Sequence, residues 1–86
     1  MNISELITII KSKLQDKIII ENIEIEDKSF LHKNHKSHED GKFHIKILIE
    51  SSELTKFSNL DATKKIYNIL DKELKENIHS IQILFN

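Results

Sequence analysis

Residues 43–50 read Phe43-His44-Ile45-Lys46-Ile47-Leu48-Ile49-Glu50, and their alternation decides the fold. Successive side chains of an extended chain point to opposite faces. Phe43, Ile45, Ile47 and Ile49 therefore share one face, and His44, Lys46, Leu48 and Glu50 share the other. A β-branched run with this period predicts a strand with one buried face. Upstream, Ile23 and Ile25 alternate with Glu24 and Glu26, which predicts a first strand over roughly Ile19 to Glu26. Before it, Ile3, Leu6, Ile7, Ile10 and Leu14 recur at helical spacing, and Asn2 with Glu5 supplies a start signal. Downstream, Ser51 to Phe57 read as a turn or a single helical turn. Ser58 and Asp61 form a capping signal for a second helix, whose buried stripe is expected to be Leu60, Ile66, Tyr67, Leu70 and Leu74. Asn77 is a helix stop, and Ile81, Ile83 and Phe85 alternate in a last strand running from about His79 to Phe85.

The predicted order is α-β-β-α-β, an α+β fold in which residues 1–86 form a single domain. The first two strands are expected to be antiparallel neighbours. A right-handed strand–helix–strand crossover then sets the third strand parallel to the second. The result is a three-stranded mixed sheet with helices on one face, its other face left open around Lys46, Glu50 and Gln82.

Composition narrows the function. With 86 residues there is room for one domain. There is no cysteine, so disulfides, thiolate nucleophiles and cysteine metal ligands are excluded within the chain, and a reducing cytosol is the expected compartment. The start of the chain carries Glu5 in a mixed polar pattern, which predicts no secretory leader. No apolar run approaches the roughly 20 residues that span a bilayer. Net charge is −1, and all thirteen basic residues are lysine. Lysine meets a phosphate as a point charge and lacks the planar fork of arginine. A dedicated nucleic-acid surface is not visible in that balance. Gly41 is the single glycine. That excludes a Gly-x-x-Gly clamp on nucleic acid, a glycine-rich phosphate loop and a glycine-built oxyanion hole. The expectation is a binding protein and not an enzyme.

Chemistry concentrates in the histidines. The stretch from Asp27 to Lys42, DKSFLHKNHKSHEDGK, has no periodicity and contains three of the five. It is expected to be a mobile loop, and loops of this length are commonly functional or disordered. His32, His35 and His38 form H-x-x-H-x-x-H, whose spacing invites a stand-alone metal-binding loop, but ordering three ligands on such a segment costs entropy and the favoured reading is a solvated loop. His44 sits on the polar face of the second strand, either as a solvated side chain or as an imidazole ligand beside the loop. His79 shares parity with Ile81 and Ile83, which puts it at the rim of the core.

Asp27-Lys28-Ser29 followed by His32, then His44-Ile45-Lys46-Ile47 leading to Ser51, then Ile66-Tyr67 and Ile78-His79-Ser80-Ile81, together resemble the BolA-like proteins. The resemblance runs from about Ile23 to the end of the chain. It implies a class II KH-like fold, a monothiol glutaredoxin as partner and a [2Fe–2S] cluster shared with that partner. His79 then matches the family's carboxyl-terminal cluster ligand, His44 its strand-start histidine, and His32 the histidine of its loop motif. The chain on its own is expected to be a colourless monomer without a cluster. Some relatives are described as DNA-binding regulators, and Lys64 and Lys65 are the charges available for that role here. Leu54-Thr55-Lys56 replaces the usual Phe-Glu-Gly turn, and Ala62-Thr63-Lys64 replaces the usual Arg-His-Arg run.

Overall fold

The structure, a computed structural model, describes residues 1–29 and 42–86. Its elements are α1 (Ile3–Lys17), β1 (Asn22–Asp27), β2 (Phe43–Glu50), a 3-10 turn (Leu54–Lys56), α2 (Asn59–Ile69), α3 (Asp71–Glu76) and β3 (Ile78–Phe85). The sheet order is β1-β2-β3. β1 lies antiparallel to β2, with Ile23 opposite Ile49 and Ile25 opposite Ile47. β3 lies parallel to β2, with Ile81, Ile83 and Phe85 opposite Ile45, Ile47 and Ile49. The expected α+β topology is therefore the observed one.

Local signals account for most boundaries. Asn2 Oδ1 accepts from the Glu5 amide at 2.8 Å and starts α1, and Ser58 Oγ accepts from the Asp61 amide at 3.1 Å and starts α2. Such caps satisfy amides that a helix start leaves unpaired. Asn77 closes α3 with its own amide on Glu73 O.

Three boundaries and faces differ from the sequence expectation. The first strand begins at Asn22, because the segment before it is committed elsewhere. The Ile19 amide donates to Glu53 Oε1, Ile19 O accepts from Ser51 Oγ, and the Ile19 side chain is exposed. The second helix is two helices. Leu70, at φ −97° and ψ 18°, leaves helical geometry between α2 and α3 while its side chain stays buried. Its stripe is also rotated. Ala62, Ile66 and Leu70 are buried, whereas Leu60 is 64% exposed and Tyr67 42%. At about 100° per residue, Leu60 and Tyr67 stand roughly 100–120° around the helix from Ile66.

Leu6, Ile10 and Leu14 of α1 join Ala62, Ile66 and Leu70 over Ile45, Ile47 and Ile49 of β2. Full burial of each Leu or Ile side chain contributes about 1.5–3 kcal/mol, so this single cluster dominates the stability of a small domain. At its margin Glu73 of α3 is buried, with Oε2 accepting from Lys13 Nζ of α1 at 2.7 Å and Oε1 without a hydrogen-bond partner among the described residues. Two carboxylates lock the connections. Glu21 accepts from the amide and hydroxyl of Ser52 at 2.6 and 2.8 Å, and these bonds hold its pKa below the ordinary 4.5. Glu53 is lowered likewise, first by the Ile19 amide and then by Lys65 at 3.4 Å. No helix among the described residues is long and apolar enough to cross a membrane.

Candidate functional site

The site lies where β2 and β3 begin. Phe43 pairs with Ile78 and His44 with Ser80, so one step along β2 spans two along β3. His79 is the extra residue, a β-bulge. Bulges break the alternation of a strand and re-aim a side chain. Ile78 stays in the core and Ile81 resumes the core face, while His79 is turned out onto the open face beside His44. This corrects the parity argument that put His79 at the core rim.

On that face His79 Nδ1 lies 3.3 Å from His44 Nε2. The rings meet edge to face, with centroids 4.7 Å apart at 65°. His79 itself is exposed. His44 is only 5% exposed, which corrects its reading as a solvated strand residue. β2 is the central strand, so a side chain on its outer face still has neighbours on both sides. On one side, Ser80 Oγ lies 2.6 Å from His44 Nδ1. On the other, the backbone of His44 is pinned to the end of β1. Its amide donates to Ser29 Oγ at 3.0 Å, and its carbonyl accepts from the Lys28 amide at 2.7 Å. Ser29 is oriented in turn, its amide donating to Asp27 Oδ1 at 2.9 Å. The Asp-Lys-Ser motif is thus a clip that fixes His44.

These contacts have a chemical consequence. When His44 donates Nδ1–H to Ser80 Oγ, the lone pair of Nε2 turns toward His79. A fixed N–H partner on the far nitrogen is how ligating histidines are held in the tautomer a metal needs. Ser80 and Ser29, to which sequence reasoning assigned no role, provide that support. The signal was their adjacency to His79 and Asp27.

The remaining candidates separate. His32, His35 and His38 lie outside the described residues, as does most of the loop expected to be mobile. Lys64 is exposed on α2. Lys65 is drawn to Glu53 and sits 5.5 Å from the ring centroid of Phe57. Neither lysine is part of the histidine site. Among the described residues, no group of three or more His, Cys, Asp or Glu could hold a metal ion.

The α-β-β-α-β fold, with a histidine pair at the mouth of its central strand, is a small α+β domain with a three-stranded mixed sheet, and comparison with known proteins gives its family. A family profile described as BolA-like protein matches residues 14–85, and the chain belongs to that family. The BolA domain of SufE1 from Arabidopsis thaliana superposes with a TM-score of 0.77 at 26% identity, covering 92% of this chain and 87% of that one. BolA1 from the same plant gives 0.78 at 24%, with the same coverages. A bol-like protein from Babesia bovis shares the fold, with a TM-score of 0.70 at 14% identity over 91% of this chain and 79% of that one. No curated protein matches the chain by sequence.

Proposed function

We propose that the domain is a non-enzymatic adaptor that docks a monothiol glutaredoxin and lends imidazole to a [2Fe–2S] cluster bridging the two proteins. The observation that carries this reading is the 3.3 Å between His44 Nε2 and His79 Nδ1. Ligand nitrogens about 2.0–2.1 Å from a tetrahedral metal lie about 3.3–3.4 Å from each other. The pair has the spacing of one tetrahedral edge, and the hydrogen bond that now joins the two nitrogens would be exchanged for the metal on binding.

Two imidazoles leave the ligand set incomplete. A glutaredoxin cysteine and a glutathione thiolate would complete it, since this chain has no cysteine. A bound [2Fe–2S] cluster supplies one-electron chemistry, at a potential that rises when histidine replaces cysteine on an iron. The chain's part is positional. The bulge presents His79, the Ser80 hydroxyl orients His44, and the Asp27–Ser29 clip holds the backbone beneath. His44 is the second imidazole in preference to His32, because its ring is already held by Ser80.

The test is anaerobic co-purification with a monothiol glutaredoxin and glutathione, followed by visible absorption and circular dichroism. The expected result is a coloured heterodimer, with the isolated domain a colourless monomer. A cluster retained by the domain alone, or no complex with any monothiol glutaredoxin, would overturn the reading.

A further inference from the structure

Beside the histidine pair the open face holds a hollow of about 240 Å³, lined by Lys28, His44, Lys46, Ser80 and Gln82 together with Ile45 and Ile81. Its lining has no carboxylate among the described residues. Lys46 reaches it from β2 and Lys28 from just past the end of β1, with side chains only 27% and 35% exposed. Both look for charge to the same atom, Glu26 Oε2, at 3.5 and 3.9 Å, and Glu26 does not line the hollow. Among the described residues, two ammonium groups thus share one carboxylate at loose distances, beside a hollow whose other polar walls are a hydroxyl, an amide and an imidazole. Half-buried lysines that share one carboxylate attract an anion, and the attraction is stronger there than on an open surface.

We propose that this hollow binds a carboxylate and anchors the species that completes the ligand set next to it. The proposal rests on the adaptor reading for its role, though the anion site stands on its own geometry. The carboxylate has two possible sources, a thiol peptide such as glutathione or an acidic side chain of the docked glutaredoxin. Gln82 and Ser80 offer it hydrogen bonds, while Lys28 and Lys46 replace their shared hold on Glu26 with a closer one.

The experiment has two arms, each comparing wild type with the double variant K28Q/K46Q and with E26Q. In the first, the metal-free domain is titrated with S-methylglutathione, which keeps both carboxylates and cannot ligate through sulfur, and with its diethyl ester. Amide shifts of residues 28, 46, 80 and 82 are followed by NMR. In the second, calorimetry measures binding of metal-free glutaredoxin without glutathione. A peptide carboxylate predicts shifts with S-methylglutathione but not the ester, weakened about tenfold in K28Q/K46Q, the equivalent of 1.4 kcal/mol. A protein carboxylate predicts the same tenfold loss in the second arm. E26Q removes the competing carboxylate and should tighten whichever arm responds, a gain that a misfolded variant cannot mimic. If K28Q/K46Q matches wild type in both arms, the site is refuted. If wild type binds no glutaredoxin, the adaptor reading fails, and the first arm alone decides the anion site.

Discussion

His44 and His79 contribute to the same proposed ligand set, yet the fold should respond to their loss very differently. His44 is 95% removed from solvent and is bonded to Ser80 at 2.6 Å, whereas His79 stands on a bulge in water. In His44→Ala the lost hydrogen bond costs about 0.5–1.5 kcal/mol, and the void left by a buried ring adds a comparable term, for a total near 2 kcal/mol. In a domain of this size each kcal/mol lowers Tm by about 4–8 °C, so His44→Ala should melt roughly 8–16 °C early. His79→Ala removes an exposed side chain and should stay within about 0.5 kcal/mol of wild type. Thermal unfolding by far-ultraviolet circular dichroism reads this difference on the isolated domain. Visible circular dichroism on the glutaredoxin complex reads the other half. There the cluster spectrum should vanish for His79→Ala and fade more for His44→Ala than for His32→Ala, with docking largely retained in all three. A His79→Ala protein that melts as early as His44→Ala, or that keeps the full cluster spectrum, would refute the division of roles.

Other outcomes follow from the same contacts. Ser80→Ala leaves both rings in place but frees the tautomer of His44, so cluster affinity should fall about 10–100-fold, as for other partners of ligating histidines; an unchanged titration would remove Ser80 from the site. Glu21 and Glu53 both have folded pKa values below the ordinary 4.5, so their stabilisation is complete above that pH and is lost as pH falls through the folded values. Urea midpoints for Glu21→Gln and Glu53→Gln should therefore drop less than wild type between neutral and acid pH. Lys13→Met strands the buried Glu73 carboxylate and should cost about 1–3 kcal/mol, whereas the double variant Lys13→Met with Glu73→Leu should recover most of it; denaturation of the two proteins gives the comparison. Binding to duplex DNA should be weak and fall steeply with salt, because lysine alone supplies the contacts. Submicromolar, sequence-selective binding at physiological salt would instead favour a regulator.

Much of the fold was legible because its signals are local. The alternation of residues 43–50 marks β2, side-chain caps mark α1 and α2, and Asn77 marks the end of α3. The α2 stripe was misread because Ala62 is a weak apolar signal, while Leu60 and Tyr67 are strong ones that the tertiary packing leaves outside. Nothing near Leu70 announces a break, since no proline or glycine is there and the bend depends on what the two helices pack against. Glu73 looks like a surface carboxylate until α1 brings Lys13 to it. Within the candidate site, the resemblance could name His44 and His79, but their meeting was not readable. Period-two counting fails at a bulge, and the burial of His44 depends on a neighbour from each adjacent strand.

The bulge also separates what the domain is from what it can hold. Ile78 matches Phe43, and Ser80 matches His44, so β3 without His79 would have the residue count of an unbroken strand. His79 is thus a supernumerary residue of the strand pairing, and its use is the proposed chemistry at the strand's mouth. A one-codon deletion there should keep the fold and remove half of the histidine pair, an outcome that far-ultraviolet circular dichroism checks. A match in fold alone is therefore silent about whether a given chain carries such a pair.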